Sequence, residues 1–133
     1  MRRHVISIGF SLMLMRLSAA YAHHSFAMFD AQKTENFSGT VSDFQWTSPH
    51  VWIELQTVGA SGMAETLSIE GPSPLALQDL GWTRNSLTVG DKVVISIHPV
   101  KSGKPGGALV QLTKNGKILG ATKADASAIR SSP

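Results

Sequence analysis

Between residues 35 and 120 the chain consists of short runs in which apolar and polar side chains alternate with a period of two. Such alternation sends every second side chain into a core and the others into water, so it specifies half-buried strands. The clearest run is Val51 to Val58, where Val51, Ile53 and Leu55 face one way and Trp52, Glu54 and Gln56 the other. Ala64 to Glu70 repeats the pattern with Leu67 and Ile69 inward, and Lys92 to His98 does so with Val93, Ile95 and Ile97. Glu35 to Trp46 is rich in β-formers, and its Gly39 predicts a bulge or sharp bend. Ala108 to Lys114 and Lys117 to Gly120 flank Asn115-Gly116, the strongest two-residue hairpin signal.

The breaks between runs are equally legible. Thr47 to His50 (TSPH) reads as a turn, Gly59 to Gly62 as a loop, Val89-Gly90-Asp91 as a turn, and Ser102 to Gly107 (SGKPGG) as a mobile hairpin loop. One short helix is predicted, with Ser73 as N-cap, Pro74 at the first helical position and Gly81 as the stop. Its Leu75, Ala76, Leu77 and Leu80 are expected to face the sheet. Strands in sequence, with one helix between the third and fourth, predict a mostly β fold: a small five- to six-stranded OB-like barrel. An SH3-like barrel or an open half-barrel is the alternative.

The first 22 residues are of another kind. Arg2 and Arg3 form a positive start, Val5 to Met15 an apolar run, and Leu17 to Ala22 a set of small residues, the three parts of a secretory signal. The apolar run is shorter than the roughly 20 residues that span a bilayer, so no stable membrane insertion is expected after cleavage. Cleavage after Ala22 gives a mature chain starting His23-His24-Ser25, and cleavage after Ala20 gives Tyr21-Ala22-His23. The A-x-A match favours the first. The predicted organisation is a signal peptide over 1–22, an N-terminal arm over 23–34, a β-barrel domain over 35–120 and a disordered tail over 121–133. The expected location is the periplasm or the exterior of the cell.

Charge follows from this division. Three of the 12 basic residues, and none of the nine acidic ones, lie in the signal. The formal net charge of +3 is therefore an export feature. A balanced mature chain offers no electrostatic footprint for nucleic acid. The absence of Cys excludes disulfides, thiolate metal sites and thiol nucleophiles.

The candidate chemistry lies in the histidines. A mature chain starting at His23 presents an α-amine and an imidazole Nδ1 that together chelate Cu(II), Ni(II) or Zn(II). The amine titrates near pH 8 and imidazole near 6.5, so both donors are accessible at neutral pH. Nitrogen donors suit copper, which tops the divalent affinity order. Cleavage after Ala20 leaves a free amine with histidine third, which also binds Cu(II). His24, His50 and His98 are the further candidate ligands. His50 follows a proline at a strand start and His98 precedes one at a strand end. Each reads equally as a solvated turn residue or a hydrogen-bonded cap.

A second candidate surface is aromatic. Trp52 shares its outward face with Glu54, and Trp46 lies just before the turn, an arrangement by which OB folds stack glycans or hold a protein partner, with the Gly103–Gly107 loop beside them. The alternative is a second small core, with Trp52 under the arm that carries Phe26 and Phe29. Among the carboxylates, Glu70 next to the predicted helix start reads as structural. No nucleophile elbow, HExxH or phosphate-loop spacing is present, so no catalytic residue and no organic cofactor is assigned.

The segments AHHSF (22–26), TSPHVWIEL (47–55), IEGPSPLALQDLGWTRNSLTVGDKV (69–93) and HPVKSGKPGGALV (98–110) together resemble a family of small exported bacterial proteins known only as a domain of unknown function. The likeness covers nearly the whole mature chain. It implies export and a small β-rich fold, and it adds no reaction. Family members look as though they share the histidine start (here His23 and His24), the PH step (here His50) and the HP step (here His98). This chain departs from the pattern at Ser48, where Asn is common.

Overall fold

The computed structural model describes residues 26–131. The expected signal, and with it His23 and His24, lies outside the described residues. Six strands form: β1 (Glu35–Gln45), β2 (Trp52–Val58), β3 (Ala64–Glu70), β4 (Lys92–Pro99), β5 (Gly106–Lys114) and β6 (Lys117–Gly120). A short helix, α1 (Pro74–Gln78), joins β3 to β4, and α2 (Lys123–Ser131) follows β6. Sheet order is β3-β2-β1-β4-β5-β6, and a parallel pairing of β3 with β5 closes five strands into a barrel. This is the OB-like architecture predicted from the strand order, with a helix between the third and fourth strands.

Closure depends on two neighbours sharing one edge of β5. Gly106 to Ala108 pair with Ser68 to Glu70 of β3. Beyond them, Gln111 to Lys114 pair with β6. The approach to β3 is close enough that a Cβ on Gly106 would run into the Ser68 carbonyl, and its φ of 137° also favours glycine. The sequence pattern predicts the SGKPGG segment as loop throughout. Its last two residues instead belong to β5 and are buried, because glycine here serves close strand contact and not a turn.

Inward residues match the alternation. Val51, Ile53, Leu55, Leu67, Ile69, Val93, Ile95 and Ile97 are all buried in one cluster with Val41, Leu77, Trp82, Leu87, Leu109, Leu112 and Ala121. Burying a side chain of this size contributes about 1.5–3 kcal/mol, so this cluster dominates stability. The irregularity expected at Gly39 falls instead between Val41 and Asp43. Gly39 permits close strand approach, since a Cβ there would strike the Gln56 carbonyl and the Leu55 side chain of β2.

Helix α1 also differs in detail. Ser73 caps it, its hydroxyl accepting from the Ala76 N–H at 3.3 Å, and Pro74 opens it. It stops at Gln78 with Asp79 as C-cap, before Gly81. One and a half turns present a single face, so Leu77 is buried and Leu80 half-buried, while Leu75 and Ala76 point to solvent. Beyond the helix, Trp82 is buried in the same cluster as Leu77. Its indole N–H donates to the Gly120 carbonyl at 2.9 Å.

Where the composition predicts a disordered tail, the chain forms α2. Thr122 and Asp125 form a reciprocal cap: Thr122 Oγ1 accepts from the Asp125 N–H at 3.1 Å, and Asp125 Oδ2 accepts from the Thr122 N–H at 3.0 Å. The helix seats on β6 because Gly120 has no side chain to hold it away. Among the described residues, no helix is long and apolar enough to cross a membrane.

Candidate functional site

The arm reaches the barrel as a short strap. Phe29 forms a bridge with Val100 and is 7% exposed. The Asp30 N–H donates to the Pro99 carbonyl at 2.8 Å, and the Lys101 N–H to the Met28 carbonyl at 2.8 Å. Phe26, at the upstream end, is 67% exposed. The Asp30 carboxyl is held below its ordinary range, chiefly by the Gln32 N–H and then by Lys33 and Lys101.

Register sets one row of residues side by side across β2, β3, β5 and β4. Trp52 lies opposite Glu70, Glu70 opposite Ala108, and Ala108 opposite His98. Ala108 is the small member, and the depression beside it is a cavity of about 70 Å³ lined by Phe26, Phe29, His50, Glu70 and Leu109 among others. The lining is almost wholly apolar except at the His50–Glu70 rim.

His50 is fixed in this rim by its loop and by its ring. The Thr47 hydroxyl donates to the His50 carbonyl at 3.0 Å, closing the turn that contains the cis Ser48–Pro49 peptide. The ring Nδ1 lies 3.1 Å from the Gly71 carbonyl and 3.3 Å from Glu70 Oε1. A carbonyl oxygen only accepts, so Nδ1 carries the hydrogen, and in the neutral ring Nε2 is the nitrogen with the lone pair. His98 obeys the same logic with a different partner, its Nδ1 lying 2.7 Å from the Lys33 carbonyl. In their neutral form both imidazoles therefore carry the hydrogen on Nδ1 and leave Nε2 as the available acceptor.

The structure does not gather these histidines into one cluster. The register leaves Ala108 between His98 and Glu70, and among the described residues no three His, Asp or Glu groups converge as a metal site. What it does bring together, around one cavity, is His50, Glu70 and the arm residues Phe26 and Phe29. Sequence reasoning places Glu70 at a helix start and misses its partnership with His50. The signal that could have found it is register: as the last residue of β3 it faces Trp52, and His50 precedes Trp52 by two.

The aromatic candidates are distributed differently. Trp46 packs on the core beside Phe44, with ring centroids 5.9 Å apart. Trp52 is half-buried on the outer face of β2. Glu54, two residues on, accepts from the Ser68 hydroxyl at 2.6 Å.

A family model matches residues 12–110. The chain belongs to DUF6152, a family of unknown function. The matched segment takes in His23, His24, His50 and His98, and ends within β5 ahead of β6 and α2. No curated protein and no solved structure matches the chain.

Proposed function

We propose that this family member is an exported β-barrel protein, periplasmic or secreted, that binds copper or another late transition metal through its mature amino terminus. Removal of residues 1–22 as a signal would place an α-amine on His23, with the His24 imidazole one residue on. One observation supports the reading: Phe26, two residues after His24 in the sequence, lines the same cavity as His50, whose Nδ1 is engaged by the Gly71 carbonyl. Cleavage would thereby put two nitrogen donors, His23 and His24, within three residues of a side chain that shares a cavity with His50. An intramolecular donor of this kind acts at an effective concentration that reaches millimolar for a short tether, so a terminus that chelates weakly alone binds more tightly on the barrel.

Trp52 supplies the reporter, since it lies directly opposite Glu70. Cu(II) titrated into the purified mature protein is expected to give EPR spectra with nitrogen hyperfine structure and to quench fluorescence that Trp52→Phe removes. Acetylating the amino terminus should abolish micromolar binding. Binding indifferent to acetylation would sink the reading, as would an exported protein whose intact mass shows a start downstream of His24. The competing reading, a glycan- or protein-binding OB module with Trp46, Trp52 and Glu54, predicts a fluorescence change with a glycan panel and none with copper.

A further inference from the structure

The inward rows of β1 and β3 each start on a carboxylate. Side chains two apart share a face of a strand, so Glu35 stands in the row of Phe37, and Glu65 in the row of the buried Leu67 and Ile69. Glu65 is half-buried there, at a position where a barrel wall ordinarily carries an apolar residue. Gly59, in the β2–β3 turn, makes room for it, since a Cβ on Gly59 would lie 3.0 Å from Glu65 Oε2. Both carboxylates line a cavity of about 450 Å³, a volume typical of small-ligand sites. Phe37, Leu67 and Val58 give it apolar surface, and Lys33, Lys101 and Lys104 bring positive charge. Asp30 is matched by Lys33 at 3.3 Å, which leaves the ammonium groups of Lys101 and Lys104 in excess on the loop before β5. Among the described residues, no ion pair joins either of them to Glu35 or Glu65. Opposite charges thus line one cavity without neutralising each other by contact.

The barrel wall is open beside this cavity. β3 pairs with β5 only from Ser68 onward, while Ala64 to Leu67 pair with β2 alone. A strand paired on one side leaves half of its amides and carbonyls directed away from its neighbour. The residues that flank the opening, Glu65 and Leu67 of β3 and Lys104 and Pro105 of the loop, all line the cavity.

Independently of any metal, we infer that this cavity binds a short peptide with free termini, its ammonium at Glu35 and Glu65, its carboxylate at Lys101 and Lys104, and its backbone along the open edge of β3. Each part of the site answers one part of such a ligand. An unpaired strand edge offers main-chain hydrogen bonds, apolar surface beside it takes side chains, and fixed charges capture the ends. A ligand that is only anionic would meet Glu35 and Glu65, and one that is only cationic would meet Lys101 and Lys104, so like charge disfavours both. A lone amino acid would satisfy the charges and leave the β3 edge unpaired.

The test titrates the purified protein with the tripeptide Ala-Val-Ala and follows the protein's backbone amides by NMR. The Glu65, Thr66 and Gly106 amides should shift. Acetylating the peptide's amine or amidating its carboxylate should each weaken binding about tenfold, as loss of a charged hydrogen bond does. The double variant Glu35→Gln with Glu65→Gln should weaken binding of the free peptide to a similar extent and remove the penalty for acetylation while keeping that for amidation. Lys101→Gln with Lys104→Gln should do the reverse. Absence of shifts at these amides at millimolar peptide overturns the inference. So does either blocked peptide binding as well as the free one, or penalties that persist unchanged in both double variants. No copper enters the titration, so its outcome stands apart from that of the metal reading.

Discussion

Two aromatic side chains stopper this barrel in different ways. Trp82 belongs to the main cluster, is 1% exposed, and has its one polar atom bonded to Gly120. Phe29 is nearly as buried but lies outside that cluster, fastened by one bridge and two flanking backbone bonds. The first shares its cluster with residues of β2, β3, β4 and β5. The second lines a cavity that a histidine and a carboxylate also line. Stability within a fold is uneven, and elements with few apolar contacts open at low cost. The Trp82 side therefore holds the barrel together, while the arm is expected to open before the strands do.

The largest test of that difference is Trp82→Ala, which is expected to cost about 3–5 kcal/mol, because it leaves a cavity and an unpaired Gly120 carbonyl. Chemical denaturation should show a single cooperative loss with no selective release of the arm. Phe29→Ala should cost less, about 2 kcal/mol, and its hydrogen-exchange pattern should differ in kind: the Asp30 and Lys101 amides exchange early while the strands stay protected. Equal release of arm and strands in both variants would erase the distinction.

A smaller effect is expected where Lys114 of β5 reaches Asp91 in the turn before β4, with Nζ 2.5 Å from Oδ2. The Lys114 ammonium, and after it the Thr88 N–H, hold the Asp91 carboxyl below its ordinary value of 3.8. A carboxyl with a depressed folded-state pKa stabilises the fold above its unfolded value, and that contribution is lost as pH falls through the folded value. Lys114→Met should thus cost about 0.5–1 kcal/mol at neutral pH, as a half-exposed pair does. It should also flatten the decline in melting temperature below about pH 4. Smallest of all is Leu75→Gln on the outer side of α1, where Leu75 is 73% exposed. A change within about 0.5 kcal/mol is expected. A larger loss would show that α1 packs through both faces and that the cluster around Trp82 is wider than described.

The local elements were legible because each rests on a local cause. Alternation gave the inward residues of β2, β3 and β4, and Asn115-Gly116 gave the β5–β6 hairpin, with φ of 50° and 76°. Helix α2 is hard to read although Thr122-Lys123-Ala124-Asp125 is a capping-box pattern, because its polar composition resembles a solvated tail. The glycines of SGKPGG mislead for the opposite reason. Glycine marks both a turn and a close approach, and only the neighbouring β3 strand decides which.

The sequence alone determined that this chain makes half-buried strands around one small core, and that Asn115-Gly116 would close a hairpin. Both follow from side chains acting on their immediate neighbours. Only the tertiary structure decided that β5 would share its edge between β3 and β6. Only it could seat the arm over Ala108 and set Glu70 against His50. Those pairings join residues far apart along the chain, and their register depends on how a closed barrel shears, which no local pattern encodes.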